Sequence, residues 1–290
     1  MAREREIDPI SGVETTGHEW DGLKELNNPL PRWWLWTLYA TIVWAIGYWI
    51  LMPAWPLIDG NTRGLLGYSS RERVAESLAA AADAQGELRA TFIAASLEDI
   101  VNDPDLREFA LAGGQSAFSV NCSQCHGSGA AGGVGYPNLN DDEWIWGGTL
   151  ADINYTIQHG ARSQDDEVTR ISEMPKFGSD GILEPQQIDQ VAEYVLQLSG
   201  AESDPAAAKA GAVLFADNCA ACHGASGEGN REFGAPALNN QIWLYGGDKA
   251  SIVASITGAR AGHMPAWGGR LDPVALKQLT VYVHSLGGGE

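Results

Sequence analysis

The sequence predicts an all-α protein in which two tandem copies of one small domain are tethered by one N-terminal transmembrane helix and a helical linker. Three observations predict this: an uncharged, tryptophan-rich stretch near the N-terminus, an internal repeat with the same landmarks in both copies, and no alternating run of strand length within that repeat. A length of 290 residues suits about two domains.

The N-terminal stretch has the length of a membrane span. Residues 33–58 carry no charge over 26 positions, whereas about 20 helical residues cross a ~30 Å hydrocarbon layer. Aromatic residues cluster at both ends, and Pro53 and Pro56 predict the helix end, so we place the span at 33–56. A buried core helix is the first alternative, but the uncharged run is long for one. A cleaved signal peptide has a shorter apolar region and a small-residue cleavage site.

The segments beside the span are assigned from composition. Residues 1–32 are polar and rich in Asn and Pro, and we expect partial disorder unless a partner orders them. In the linker, 57–113, Ser70 is placed to cap a helix rich in Ala, Glu and Arg, and Asp103 with Pro104 begins a second, short helix. We interpret this linker as a stalk.

Two copies of one module follow, at 114–200 and 204–290. The first reads GQSAFSVNCSQCHG, YPNLNDDEWIWGG, EMPKFG and EPQQIDQVAEYVLQLSG; the second reads GAVLFADNCAACHG, APALNNQIWLYGG, HMPAWG and DPVALKQLTVYVHSLGG. Each predicts a helix into its Cys pair, a middle helix over 150–158 or 249–257, and a last helix that begins at a proline.

Each Cys pair is followed directly by histidine. The motifs are Cys122-Ser-Gln-Cys125-His126 and Cys219-Ala-Ala-Cys222-His223. Cys-x-x-Cys-His is the attachment motif of c-type haem. Two thiols on one helical turn reach the two vinyl groups of one haem, and the adjacent imidazole lies under the iron. The sequence therefore predicts two covalently bound haem c groups in two cytochrome c domains.

Other uses of paired cysteines fit less well. A zinc site made from both pairs leaves the adjoining histidines unexplained. A thioredoxin-like redox pair lacks its βαβ context. Disulfides within the two pairs are a further alternative, but they leave both modules with thin cores.

Met174 and Met264 are candidates for the sixth iron ligand. They are the only methionines beyond residue 52, each precedes a proline, and they occupy equivalent positions in the two copies. His with Met is the ligand pair of cytochromes c and raises the reduction potential. Sequence order pairs His126 with Met174 and His223 with Met264. A methionine there closes the iron to oxygen and peroxide, which favours electron transfer over catalysis.

The modules contain further candidates for contact with haem. Three histidines are alternative ligands, namely His159, His263 and His284. The equivalent Gly-Ala-Arg segments supply Arg162 and Arg260, which are candidate partners of haem propionates; solvated arginines are the alternative.

The charge balance bears on the partners. The chain has 37 Asp and Glu against 18 Lys and Arg, a formal net charge of −19. This argues against a nucleic-acid binder, which needs cations to neutralise phosphates. It favours a positively charged partner.

The segment GHEWDGLKELNNPLPRWWLWTLYATIVWAIGYWILMPAWP, followed by two Cys-x-x-Cys-His modules, resembles the dihaem subunit (subunit III, P subunit) of cbb3-type cytochrome c oxidases. The resemblance covers nearly the whole chain. It implies two sets of haem-binding residues: Cys122, Cys125, His126 and Met174, and Cys219, Cys222, His223 and Met264.

The resemblance implies an electron relay with no catalytic centre of its own. Electrons pass from a donor cytochrome c through the two haems to a monohaem cytochrome subunit, and a haem–copper catalytic subunit of the proton-pumping complex reduces oxygen to water. It implies a bacterial inner membrane, with 1–32 in the cytoplasm and the linker and haem modules in the periplasm. Haem attachment outside the cytoplasm favours the same orientation.

Three other functions are considered. A dihaem peroxidase needs an iron with a labile or absent sixth ligand, and both methionines argue against one. The N-terminal segment argues against a tethered carrier for another respiratory complex and against a haem sensor.

Overall fold

The computed structural model describes residues 6–290, so residues 1–5 of the predicted N-terminal segment lie outside the described residues. The chain divides into two compact units, Met1–Ala84 and Gln85–Glu290. The first unit contains β1 (Thr15–Trp20), β2 (Leu23–Leu26), α1 (Arg32–Leu51), β3 (Pro56–Leu57), β4 (Gly60–Asn61) and α2 (Ser70–Ala84).

A β-hairpin stands where the sequence predicts partial disorder. Strands β1 and β2 pair antiparallel, with Trp20 opposite Leu23. The two residues between them, Asp21 and Gly22, have φ values of 50° and 85°. An Asp-Gly pair with both φ values positive is a strong hairpin signal, because its twist matches that of the strands. The expectation of partial disorder is therefore wrong for residues 15–26.

Helix α1 coincides with the membrane span that the sequence predicts. It has 20 residues, about 30 Å of rise, and is the one helix among residues 6–290 long and apolar enough to cross a membrane. None of its residues is buried within the chain. It ends at Leu51 rather than residue 56, because Met52 precedes Pro53 and takes an extended conformation. The antiparallel pair of β3 and β4 follows.

The predicted linker contributes to the second unit. Its later part forms α3 (Gly86–Ala94), α4 (Leu97–Asn102) and the start of α5 (Pro104–Asn121). Phe92 and Ile100 are fully buried and pack with Val274 and Val281, far along the chain. Residues 86–113 are thus packed against the modules rather than forming a free stalk. The domain boundaries themselves stay a prediction.

Helix α5 is longer than predicted. Asp103 accepts hydrogen bonds from the amides of Asp105 and Leu106, and Pro104 occupies the first turn, as the sequence indicates. The helix then continues to Asn121, 18 residues in all. The short helix and the helix that leads to the first Cys pair are therefore one element.

The remaining helices confirm the all-α prediction. They are α6 (Ser123–His126), α7 (Leu150–His159), α8 (Pro185–Leu198), α9 (Pro205–Asn218), α10 (Ala220–His223), α11 (Lys249–Gly258) and α12 (Pro273–His284). The middle helices extend one residue beyond the predicted 158 and 257, and both last helices begin at the expected prolines. From residue 85 onward the described chain has isolated β-bridges only.

The last helices of the two copies are exchanged. Helix α8 of the first copy packs against α9 and α11 of the second, whereas α12 of the second copy packs against α5 and α7. Val191 and Val195 accordingly share a core with Phe215. Phe118 shares the other core with Leu279 and Val283. Each core therefore contains residues of both sequence modules.

A glycine lies at each of the two main helix crossings. A Cβ on Gly114 of α5 would overlap the Gln278 carbonyl oxygen of α12. A Cβ on Gly211 of α9 would overlap the Gln190 carbonyl oxygen of α8. The two glycines occupy equivalent repeat positions, four residues before Phe118 and Phe215. Both crossings therefore require close approach of the backbones.

Candidate haem cavities

Two apolar cavities lie in the second unit, one at each Cys-x-x-Cys-His motif. The first cavity, about 1300 Å³ including its open mouth, is lined by Cys122, Cys125 and His126. Phe118 and Ile157 belong to its apolar wall. Helix α6 directly continues α5. Its single turn places both thiols and the imidazole on one wall of the cavity.

The second cavity, about 1370 Å³ including its mouth, is lined by Cys219, Cys222 and His223. Val191 and Phe215 contribute to its wall, so α8 of the first copy encloses the cofactor motif of the second. The two cavities are alike in size and in chemistry, as the repeat predicts.

The methionines line the opposite cavities from those expected. Met264 lines the first cavity with His126, and Met174 lines the second with His223. The within-module pairing that sequence order suggests is therefore wrong. The physical reason is the exchange of the last helices. Each last helix carries with it the methionine segment that precedes it, 172–179 in the first copy and 262–269 in the second, across to the other copy.

Backbone contacts fix each methionine segment on the other copy. Ala161, after α7, and Met264 exchange two hydrogen bonds of 3.0 Å. Reciprocally, the amide of Ser179 donates to Thr257 O of α11 at 3.0 Å. Gly160, with φ 67°, allows the first of these approaches, because a Cβ there would overlap Met264 O. Met264 thus docks at the end of the opposite middle helix, and the segment that follows Met174 does the same at α11.

The histidines of both motifs are oriented by backbone carbonyls. His126 Nδ1 lies 3.0 Å from Pro137 O, and His223 Nδ1 lies 2.9 Å from Pro236 O. A carbonyl only accepts, so Nδ1 carries the proton and Nε2 is left as a metal-binding atom. Burial lowers the pKa of both histidines, which favours the neutral, ligating form. These prolines were not predicted as site residues, although Pro-x-Leu follows each motif.

The first cysteine of each pair lies in an environment that disfavours a thiolate. Burial, with a smaller contribution from the neighbouring cysteine of each pair, raises the pKa of Cys122 and Cys219 to about 11. Within residues 6–290 no three His, Cys, Asp or Glu side chains group as metal ligands. Each pair faces its own cavity, so the four cysteines do not converge on one zinc.

The three alternative histidine ligands differ in position. His263 lines the first cavity beside Met264. His159 instead pairs with Asp166, Nδ1 to Oδ2 at 3.0 Å, and His284 Nε2 lies 3.1 Å from Glu290 O. Neither His159 nor His284 lines a haem cavity.

The two candidate arginines are not equivalent in space. Arg162 lines both cavities, whereas Arg260 lines the second only. Ile145, Leu244 and Gly262 also line both. These four residues form a shared wall, which the sequence did not predict because its members come from both copies.

The cavities fit haem c. Each presents two thiols, an imidazole nitrogen freed for ligation and a thioether in one apolar enclosure, which is the donor set of a His/Met-ligated haem. The apolar walls suit the porphyrin faces, and the arginines at the walls suit its carboxylates.

Comparison with known proteins agrees with this chemistry. A family model described as the N-terminal domain of cytochrome oxidase-cbb3, FixP, matches residues 12–59. Models described as cytochrome c and as cytochrome c oxidase, cbb3-type, subunit III match residues 111–199 and 206–283. Two cytochrome c domains indicate haem c binding.

Full-length relatives give the same result. The chain is 55% identical over 276 residues to the cbb3-type cytochrome c oxidase subunit CcoP of Cereibacter sphaeroides, covering 95% of each chain. It is 55% identical over 291 residues to subunit FixP of Bradyrhizobium sp. (strain ORS 278), covering 100% of each, and 53% identical to FixP of Rhizobium meliloti, covering 99% of each. The chain therefore belongs to the CcoP/FixP family, the cytochrome c electron-transfer subunit of cbb3-type cytochrome c oxidases.

Proposed function

We propose that the chain binds two covalent haem c groups and relays electrons from a donor cytochrome c to the monohaem and haem–copper subunits of its oxidase. The observation that carries this proposal is the pair of like cavities, each with a Cys-x-x-Cys-His wall and a methionine from the other copy. Bound haem c supplies a one-electron iron centre.

The residues of each cavity have separate tasks. Cys122 and Cys125 attach one haem, and Cys219 and Cys222 the other. His126 and Met264 would hold the iron in the first cavity.

His223 and Met174 would hold the iron in the second cavity. Two protein ligands on each iron would leave no position for oxygen, which suits electron transfer. The shared wall places single side chains in contact with both cavities, which supports transfer between them.

The proposed orientation follows from the chemistry. Helix α1 anchors the chain in the bacterial inner membrane, with the segment before it in the cytoplasm and both haem cavities in the periplasm. This is supported by covalent haem attachment, which takes place outside the cytoplasm.

Purification of the tagged full chain from its native membranes tests the function. We expect a monohaem cytochrome and a haem–copper oxidase to co-purify with it, and the reduced chain to leave both of its own haems free of CO. Isolation of the chain without an oxidase contradicts the relay. Peroxide turnover by the isolated chain points instead to the peroxidase alternative.

Electron transfer from a basic donor cytochrome c should slow as ionic strength rises. Residues 59–290 contain 30 acidic and 14 basic side chains, so the part of the chain beyond α1 is strongly negative. Its attraction for a cationic donor is screened over about 10 Å at 0.1 M salt and about 3 Å at 1 M. Stopped-flow oxidation of the donor at increasing salt measures the effect. A rate constant independent of salt contradicts electrostatic steering.

A further inference from the structure

The two equivalent arginines differ in their backbone conformation. In the first copy the left-handed residue after the middle helix is Arg162 itself, with φ 55°. In the second copy it is Ala259, with φ 50°, one position earlier in the repeat. This shift of one residue sends the two side chains to different places.

Arg162 joins the two methionine segments. Its Nε donates to Gly262 O, and its Nη1 donates to Ser172 O at 3.1 Å. Gly262 lies two residues before Met264, and Ser172 lies two residues before Met174. One half-buried guanidinium therefore holds equivalent carbonyls of both segments.

The chemistry of arginine suits this position. A guanidinium is planar and always charged, and it carries donors that point in fixed, divergent directions. A carbonyl that loses its donor in a partly buried place costs free energy, so each segment is less well held without Arg162.

Arg260 provides the contrast. Its Nη2 donates to Ser251 O at 2.6 Å and to Tyr245 O at 3.3 Å, and its guanidinium lies 4.7 Å from the Tyr245 ring centroid. Its further bonds are to Ser255 Oγ. All of these partners lie outside the two methionine segments.

We propose that Arg162 is a positioning residue that holds Met174 and Met264 against both irons through a single side chain. The proposal rests on the proposed His/Met ligation. It makes the sixth ligands of the two haems interdependent, since a change at one residue loosens both.

The test compares Arg162→Gln and Arg162→Lys with the control Arg107→Gln in the haem-loaded full chain, because Arg107 is an exposed residue of α5 that lines neither cavity. The readouts are CO binding by the reduced protein, the methionine-to-iron charge-transfer band of the oxidised protein, and both reduction potentials. In Arg162→Gln we expect CO binding and band loss at both haems. We expect each reduction equilibrium to shift at least tenfold towards the oxidised form, which is 59 mV for one electron.

The variants are expected to differ in their effects on CO binding and on the charge-transfer band. Arg162→Lys keeps the charge, but lysine has a single nitrogen where the guanidinium donates from two separate ones. We therefore expect a smaller effect than that of Arg162→Gln at both haems. Arg107→Gln should leave CO binding and the band unchanged. An effect of Arg162→Gln on one haem only, or on neither, overturns the proposal.

Haem content is measured for every variant. Failure of both Arg162 variants to load two haems, with normal loading of Arg107→Gln, overturns the proposal in favour of a role in folding. Avid CO binding by the unaltered chain contradicts the His/Met ligand set itself, and so separates failure of the proposed function from failure of the Arg162 assignment.

Discussion

Replacing Met264 with alanine should open the haem bound to Cys122 and Cys125, although Met264 belongs to the other sequence module. Met264 lines the first cavity opposite His126, and Met174 lines the second. Without its thioether sulfur, the iron has a vacant sixth position, so the reduced protein should bind one CO per chain where the unaltered chain binds none. The potential of that haem should fall, because methionine ligation raises it.

Chains that bind only one haem test the pairing of each methionine with the other copy directly. In a chain carrying Cys219→Ala and Cys222→Ala, only the first haem remains attached. Added Met264→Ala should then permit CO binding, whereas added Met174→Ala serves as the matched control and should not. The opposite result would restore the pairing within modules.

Replacing Gly211 with alanine should lower the stability of the second unit. An added Cβ overlaps the Gln190 carbonyl oxygen, which belongs to backbone and cannot swing away. Overpacking of this kind costs about 1–3 kcal/mol. For a unit of this size we expect Tm to fall by about 2–12 °C. Thermal unfolding of the haem-loaded chain, followed by circular dichroism, measures the fall.

The control must separate the clash from the general effect of alanine in a helix. Gly86, the first residue of α3, has no atom within 4 Å of an added Cβ. Gly86→Ala should therefore be neutral or slightly stabilising, since alanine favours helix by up to about 1 kcal/mol. Equal Tm values for the Gly211→Ala and unaltered chains would show that the crossing does not depend on close approach.

Local signals in the sequence predicted most helices well. Asp103 with Pro104 combines an N-cap with a proline in the first turn and begins α5, and the last helices begin at Pro185 and Pro273, as predicted. Val191, an apolar residue of the last helix of the first copy, is buried. These features depend on residues a few positions apart, so a single sequence contains them.

The misassignments involve information that is not local. The helices of the two copies have similar apolar faces. The sequence of a helix such as α12 therefore does not indicate whether it packs against the helices of its own copy or against those of the other copy. The pairing of His126 with Met264 depends on that choice. The contact of Arg162 with both methionine segments depends on a one-residue difference in backbone conformation. The local sequence, Gly-Ala-Arg, is the same in both copies and does not reveal that difference. The Asp21-Gly22 pair is also a local signal, in this case for a hairpin. The polar composition of residues 1–32 led instead to the expectation of partial disorder.

The exchange of the last helices has a consequence for the order in which the protein matures. A chain is made from its N-terminus, so Cys122 and Cys125 emerge long before Met264 and α12 exist. Throughout that interval the first cavity lacks Met264 and the wall that α12 supplies. The attachment motif of this cavity is therefore made before the parts that enclose it, and the cavity is complete only once the last helix of the chain has been made.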